Sequence, residues 1–162
     1  MAILSDEKST PKALFDKINE AFHFSLDVCA SEENKKCDKF YSLADDGLSQ
    51  SWAGHTCWMN PPYSRGEMTK WLTKARDEVS NGVTTVALVM GDTSCDWYHS
   101  AQKDVAAFCF LKGRLAFNGV KTGARFPNHI LLFMPEERRP TPRQGFYFDL
   151  DRFLAMYGDD KC

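Results

Sequence analysis

The sequence predicts one α/β domain, spanning residues 1–162, built on a mixed sheet. In the first half, apolar strand-like runs alternate with segments of helical periodicity, the pattern of parallel strands joined by helical crossovers. In the second half, strand-like runs follow one another across glycine-bearing turns, which adds an antiparallel hairpin to the same sheet. The chain has 162 residues, of which 43% are hydrophobic and 13% aromatic, enough for a real core and too apolar for a disordered segment.

The elements follow in order. Thr10–Ala21 reads as a helix, with Leu14, Phe15, Ile18 and Phe22 at helical spacing. Thr10 is a good N-cap, and Pro11 suits the first helical position. Phe24–Cys29 reads as a buried strand, Glu32–Asp38 as a polar loop or turn, Phe40–Leu43 as a short strand and Asp45–Gly54 as a turn-rich loop. Thr56–Met59 is the next strand. Met68–Asn81 is an amphipathic helix with Trp71, Leu72, Ala75 and Val79 on one side, ending at Asn81-Gly82. Thr84–Met90 is a β-branched, apolar strand, and Cys95–Gln102 a short helix. Val105–Leu111, Arg114–Asn118 and His129–Met134 are further strands, joined by turns at Gly113, Gly119 and Gly123. Pro135–Gly145 reads as a loop, and Phe148–Tyr157 as a small strand and a helical turn.

Bulk properties narrow the setting. No stretch approaches the length of a membrane span, and the charged Met1–Lys8 segment lacks the apolar core of a signal peptide. A cytoplasmic protein that contacts no membrane is expected. The six cysteines (Cys29, Cys37, Cys57, Cys95, Cys109 and Cys162) form no Cys-x-x-Cys pair and are expected as free thiols. Cys29, Cys37, His55 and Cys57 fit no usual zinc spacing, so no metal is expected. The net charge is −2, whereas a domain that binds nucleic acid is often basic. Local distribution matters more. Acidic pairs lie early (Asp6-Glu7, Glu32-Glu33), and basic residues gather late (Arg114, Lys121, Arg125, Arg138, Arg139, Arg143).

The most specific feature is Asn60-Pro61-Pro62-Tyr63, directly after the Thr56–Met59 strand. Two prolines cannot continue a strand, because each lacks an N–H and has a fixed φ. They leave an amide and a ring presented at a strand end, where open α/β sheets bind ligands. The Asn60 side-chain oxygen and the Pro61 carbonyl oxygen are both acceptors. Converging on the two N–H groups of a planar exocyclic amine, they would localise its lone pair and make it a nucleophile. Tyr63 offers a face on which a base could stack. Asn-Pro and Pro-Pro also mark ordinary loops, and that reading stays open on these four residues alone.

Asn60-Pro61-Pro62-Tyr63 resembles the catalytic motif of amino-methyltransferases that use S-adenosylmethionine. The residues around it resemble one branch more closely. Thr10-Pro11 with Leu14 and Phe15, Leu26-Asp27-Val28-Cys29-Ala30-Ser31, Asn34, Cys37, Phe40-Tyr41, Asp45-Asp46-Gly47-Leu48 and Trp52 form a series similar to the phage-type, Dam-like DNA N6-adenine methyltransferases. The likeness is densest from Thr10 to Trp71. It implies a trimmed Rossmann-like methyltransferase fold, S-adenosylmethionine as cofactor, DNA as partner and the cytoplasm of a bacterial host. It also implies Asn60, Pro61, Pro62 and Tyr63 as catalytic residues.

On the cofactor side, the resemblance implies Thr10-Pro11 around the methionine moiety, Asp27 at its amino group, Ala30 in close approach, Asn34 near the ribose and Asp45 or Asp46 near the adenine or ribose. The strand is followed by Ala30-Ser31-Glu32 and not by the glycine-rich turn usual in such sites. Thr10 remains a candidate helix cap, and Asp45-Asp46-Gly47 a good turn sequence. Asp27 is harder to explain as structure, because a carboxylate in an apolar strand needs a partner. Arg65, Arg114, Lys121 and Arg125 are expected on DNA phosphates, with the Arg138-Arg139-Arg143 loop as the alternative face. Two other functions remain: the same chemistry on RNA or on protein glutamine, and a DNA- or cofactor-binding module without turnover.

Overall fold

A computed structural model describes residues 9–117, 123–141 and 143–158. Met1–Lys8, Lys121, Gly119 and Cys162 therefore lie outside the described residues. The elements run α1 (Lys12–Phe22), β1 (Leu26–Asp27), β2 (Thr56–Met59), α2 (Glu67–Glu78), β3 (Thr84–Met90), α3 (Asp96–Ala101), β4 (Ala107–Phe110), β5 (Asn128–Phe133), β6 (Gly145–Tyr147) and α4 (Leu150–Tyr157). They build a six-stranded sheet in the order β1-β2-β3-β5-β4-β6. β1, β2 and β3 are mutually parallel. β5 inserts antiparallel between β3 and β4, and β6 pairs parallel to β4.

The period-2 pattern of the strands divides the core between the two faces of the sheet. From β3, Ala87 and Val89 join Trp52, Met68, Trp71, Leu72 and Tyr98 under α2 and α3. Val86 and Leu88 join Phe15, Ile18, Phe22, Trp58, Phe153 and Tyr157 under α1 and α4. The result is the α/β layered arrangement with a mixed sheet. No helix among the described residues is long and apolar enough to cross a membrane.

Five expectations change. Thr10 does not cap α1: the helix starts at Lys12, Pro11 occupies the cap position and no side chain caps it. The first strand is two residues long, with flanking ladder bonds from the Ser25 N–H to the Thr56 carbonyl (2.9 Å) and the Val28 N–H to the Trp58 carbonyl (3.1 Å). The Phe40–Leu43 strand reduces to a bridge between Phe40 and Asp27 on the outer side of β1. The strand expected at Arg114–Asn118 is not formed by residues 114–117, and Asn118 lies outside the described residues. One bond from the Ala124 N–H to the Leu115 carbonyl (2.8 Å) closes that loop instead. The C-terminal segment forms a regular helix, α4, because the Asp149 carboxylate accepts the N–H groups of Asp151 and Arg152 at 2.9 and 3.3 Å.

Gly47 seats the Asp45–Gly54 loop on the sheet. A Cβ there would lie 2.2 Å from the Val28 carbonyl oxygen and 3.1 Å from the Trp71 ring. The Gly47 carbonyl also accepts from the Trp52 indole at 2.9 Å. Backbone cannot yield as a flexible side chain does, so Gly47→Ala is expected to cost about 3 kcal/mol. A thermal melt should show Tm falling by roughly 6–12 °C. An unchanged Tm would mean that the loop is not held against β1.

Candidate active site

The site lies at the carboxyl ends of β1, β2 and β3. Pro61 and Pro62 stop β2 after Met59 and turn the chain across that edge, leaving Asn60 half-buried at the corner. The Asn60 amide is held at both ends. Its Nδ2 donates to Thr10 Oγ1 at 3.2 Å, and its Oδ1 accepts from the Tyr63 hydroxyl at 3.3 Å. Thr10 is 3% exposed, and its buried hydroxyl meets Asn60 and does not cap α1. The Lys36 ammonium, 3.4 Å from Ser9 Oγ, ties the residue before Thr10 to the loop after β1.

Tyr63 is more anchored than its sequence position suggests. Its ring packs at the edge of the core under α2, and its hydroxyl also reaches the Leu88 carbonyl at 3.3 Å. Burial pushes its phenol above the usual value, so it stays protonated and able to donate. Cys29 lies beside it. Burial pushes that thiol up, the Asp27 carboxylate adds to the effect, and a bond from the Asn60 backbone N–H opposes it. A thiol held neutral is a poor nucleophile, so Cys29 is not poised for covalent catalysis.

Asp27 ends β1 and is 3% exposed. Its Oδ2 accepts the Lys36 N–H at 3.0 Å and its Oδ1 the Cys29 N–H at 3.4 Å. Burial pushes its carboxyl up to about 6, against those two bonds and the nearby Lys36 ammonium. A carboxylate kept buried at this cost fits a cationic ligand group. Of the other cofactor candidates, half-buried Ala30 donates its N–H to the Tyr41 carbonyl at 3.0 Å. Asn34 Oδ1 accepts the Ser31 N–H at 2.7 Å, closing the glycine-free turn. Asp45 accepts the Ser42 N–H and hydroxyl at 2.7 and 2.6 Å, which holds its carboxyl below the usual range. Asp46 takes a left-handed φ of 51° on the exposed tip. Asn34 and Asp45 thus shape the loops that flank the end of β1.

The sheet topology places the basic residues. β4 runs parallel to β3 and β5 returns, so the β4–β5 loop lies on the same edge as Asn60. That loop carries exposed Arg114 and Arg125, with Arg114 Nη1 donating to the Arg125 carbonyl at 2.8 Å. Arg65 is exposed just after the corner. Lys121 lies outside the described residues. Arg138, Arg139 and Arg143 follow β5 and so lie on the opposite edge, which removes them as a face around this site. Among the described residues, no cluster of three or more His, Cys, Asp or Glu side chains could hold a metal ion.

Residues 2–141 match the family of DNA N-6-adenine-methyltransferases (Dam). The match covers most of the chain. This protein belongs to that family. A DNA N-6-adenine-methyltransferase of Escherichia phage T1 is 30% identical over 163 residues, covering 88% of this chain and 68% of the relative. One of Haemophilus phage HP1 is 29% identical over 136 residues, covering 79% of this chain and 78% of the relative. The six-stranded mixed sheet is consistent with the Rossmann-like methyltransferase fold that membership implies. Within that frame, sequence reasoning missed Asn128. It is 2% exposed at the start of β5, and its Nδ2 donates to Tyr63 Oη at 3.4 Å and to the Val89 carbonyl at 3.2 Å. An isolated asparagine at a strand start carries no spacing signal that could have found it.

Proposed function

We propose that this chain, acting as one domain, methylates the N6 amine of adenine in DNA with S-adenosylmethionine as donor. Family membership supports the reaction. The observation that carries the site assignment is the Asn60 amide, fixed between Thr10 and Tyr63 at the end of β2. An amide oxygen accepts two hydrogen bonds, so acceptance from Tyr63 is compatible with acceptance from the target amine. Asn60 Oδ1 and the Pro61 carbonyl accept hydrogen bonds from the two N6 hydrogens and localise the nitrogen lone pair, which takes the methyl from sulfur as one N6 proton is released. The Tyr63 ring offers the stacking face for a base that has left the duplex.

The donor supplies a methyl group on a positively charged sulfur. Its charged amino end fits Asp27, with Thr10-Pro11 beside it, Ala30 in close approach and the Asn34 and Asp45-Asp46 loops flanking the adenosine. Neutral Cys29 suits direct transfer without a covalent enzyme–base intermediate. A cytoplasmic setting, that of a bacterial host for a phage-encoded chain, supplies both substrates.

Transfer of labelled methyl groups into DNA, RNA and glutamine-bearing protein, offered separately, tests the substrate class. Incorporation into DNA is expected. Incorporation into RNA or protein instead would move the reading to the alternative substrates, and cofactor binding without incorporation would make the chain a binding module. The DNA face has its own test. Each phosphate contact adds about one unit to the slope of log affinity against log salt. Replacing Arg65, Arg114, Lys121 and Arg125 together by Ala should flatten that slope by roughly two to four units and leave S-adenosylmethionine affinity unchanged. An unchanged slope would place the DNA elsewhere.

A further inference from the structure

We propose that Asn128 is a positioning residue for the methyl transfer, setting the direction of the Asn60 amide through the Tyr63 hydroxyl. The inference rests on the role given to Asn60 above. Four side chains from separated parts of the chain form one directional series. Asn128 Nδ2 donates to Tyr63 Oη (3.4 Å), Tyr63 Oη donates to Asn60 Oδ1 (3.3 Å), and Asn60 Nδ2 donates to Thr10 Oγ1 (3.2 Å).

The direction is fixed at its buried end. The Val89 carbonyl accepts the other Nδ2 hydrogen of Asn128 at 3.2 Å, and a reversed amide would set two acceptors against each other there. With Asn128 donating to its oxygen, the Tyr63 hydroxyl shares its one hydrogen between Asn60 Oδ1 and the Leu88 carbonyl, 3.3 Å from each. Asn60 is thereby held with its oxygen, and not its NH2, toward Tyr63.

A second observation separates this from ordinary packing. Asn128 Oδ1 is buried without a hydrogen-bond partner among the described residues. An orphaned buried acceptor costs stability that an apolar side chain of the same shape would avoid. Local rules are broken in this way where a site demands a particular group.

A double-substitution cycle in the methyl-transfer assay tests the proposal. Asn128→Leu keeps the shape and removes the donor. It should lower kcat about tenfold, the effect of losing one orienting hydrogen bond, while S-adenosylmethionine affinity changes less than about twofold. In a Tyr63→Phe background the same substitution should change kcat by less than about twofold, because the relay is already cut. A merely structural role would lower kcat equally in both backgrounds. That outcome, or wild-type kcat in Asn128→Leu, overturns the proposal. If Asn128→Leu does not fold, Asn128→Ser completes the same cycle. Asn60→Ala in the same assay separates the two claims. An inactive Asn60→Ala with an additive cycle overturns only the role of Asn128, and an active one overturns the reading of the site beneath it.

Discussion

Asn60→Ala is expected to lower kcat by about a hundredfold to a thousandfold while the protein stays folded. The substitution removes the acceptor proposed for the target amine, and one preorganised electrostatic contact is worth that much in rate. Asn60 is only half-buried, and of the two hydroxyls its side chain meets, that of Tyr63 keeps the Leu88 carbonyl as an acceptor. Stability should therefore change little, and S-adenosylmethionine should bind within about threefold of the parent. Steady-state kinetics with calorimetric titration of the cofactor checks both halves. Wild-type turnover in a folded Asn60→Ala variant would remove the proposed mechanism.

Asp27 carries the second large effect, on cofactor affinity. Its carboxyl is raised by burial from 3.8 to about 6. A raised carboxyl means that the fold prefers the neutral form. The contribution to stability is therefore best below pH 3.8 and falls as pH rises through 6. At neutral pH the ionised group costs the cofactor-free protein about 3 kcal/mol. A positively charged ligand group at Asp27 would recover part of that energy. S-adenosylmethionine affinity should accordingly fall as pH drops below about 6, by up to tenfold per unit, as the carboxylate is neutralised. Asp27→Asn should abolish this dependence and weaken binding at pH 7 by roughly thirtyfold or more. It should also leave the Tm of the cofactor-free protein unchanged or raised, since the buried charge is gone. Calorimetry from pH 5 to 8 decides it. A flat pH profile in the parent, or unchanged affinity in Asp27→Asn, would return Asp27 to holding the Cys29 and Lys36 N–H groups and nothing more.

The parts of this site that were legible in the sequence are those with strong local physics. Pro61-Pro62 after an apolar strand forces a corner whatever surrounds it, and a carboxylate inside Leu26-Asp27-Val28 signals an exception to burial. Thr10 was ambiguous, because a threonine before a proline suits a helix cap and a ligand equally well. Its bond to Asn60 is fifty residues away in the chain, and no periodicity reports such a contact. The Tyr63 ring reads from the sequence as a stacking face, and nothing local signals that its hydroxyl has partners on three sides. Strand type was largely readable, but strand order was not. The insertion of β5 between β3 and β4 brings Asn128 to the site and is a non-local pairing. The strand expected at Arg114 fails for a related reason. The apolar run Leu115-Ala116-Phe117 fits a strand, but β4 is already paired on both sides, by β5 and β6.

The central claim is chemical, and one measurement addresses it directly. Unmethylated DNA incubated with the purified protein and S-adenosylmethionine is digested to nucleosides and analysed by mass spectrometry. The expected product is N6-methyldeoxyadenosine, formed by the parent and lost in Asn60→Ala. Methylation of another base, or no methylated nucleoside while the protein demonstrably binds the cofactor, would contradict the account.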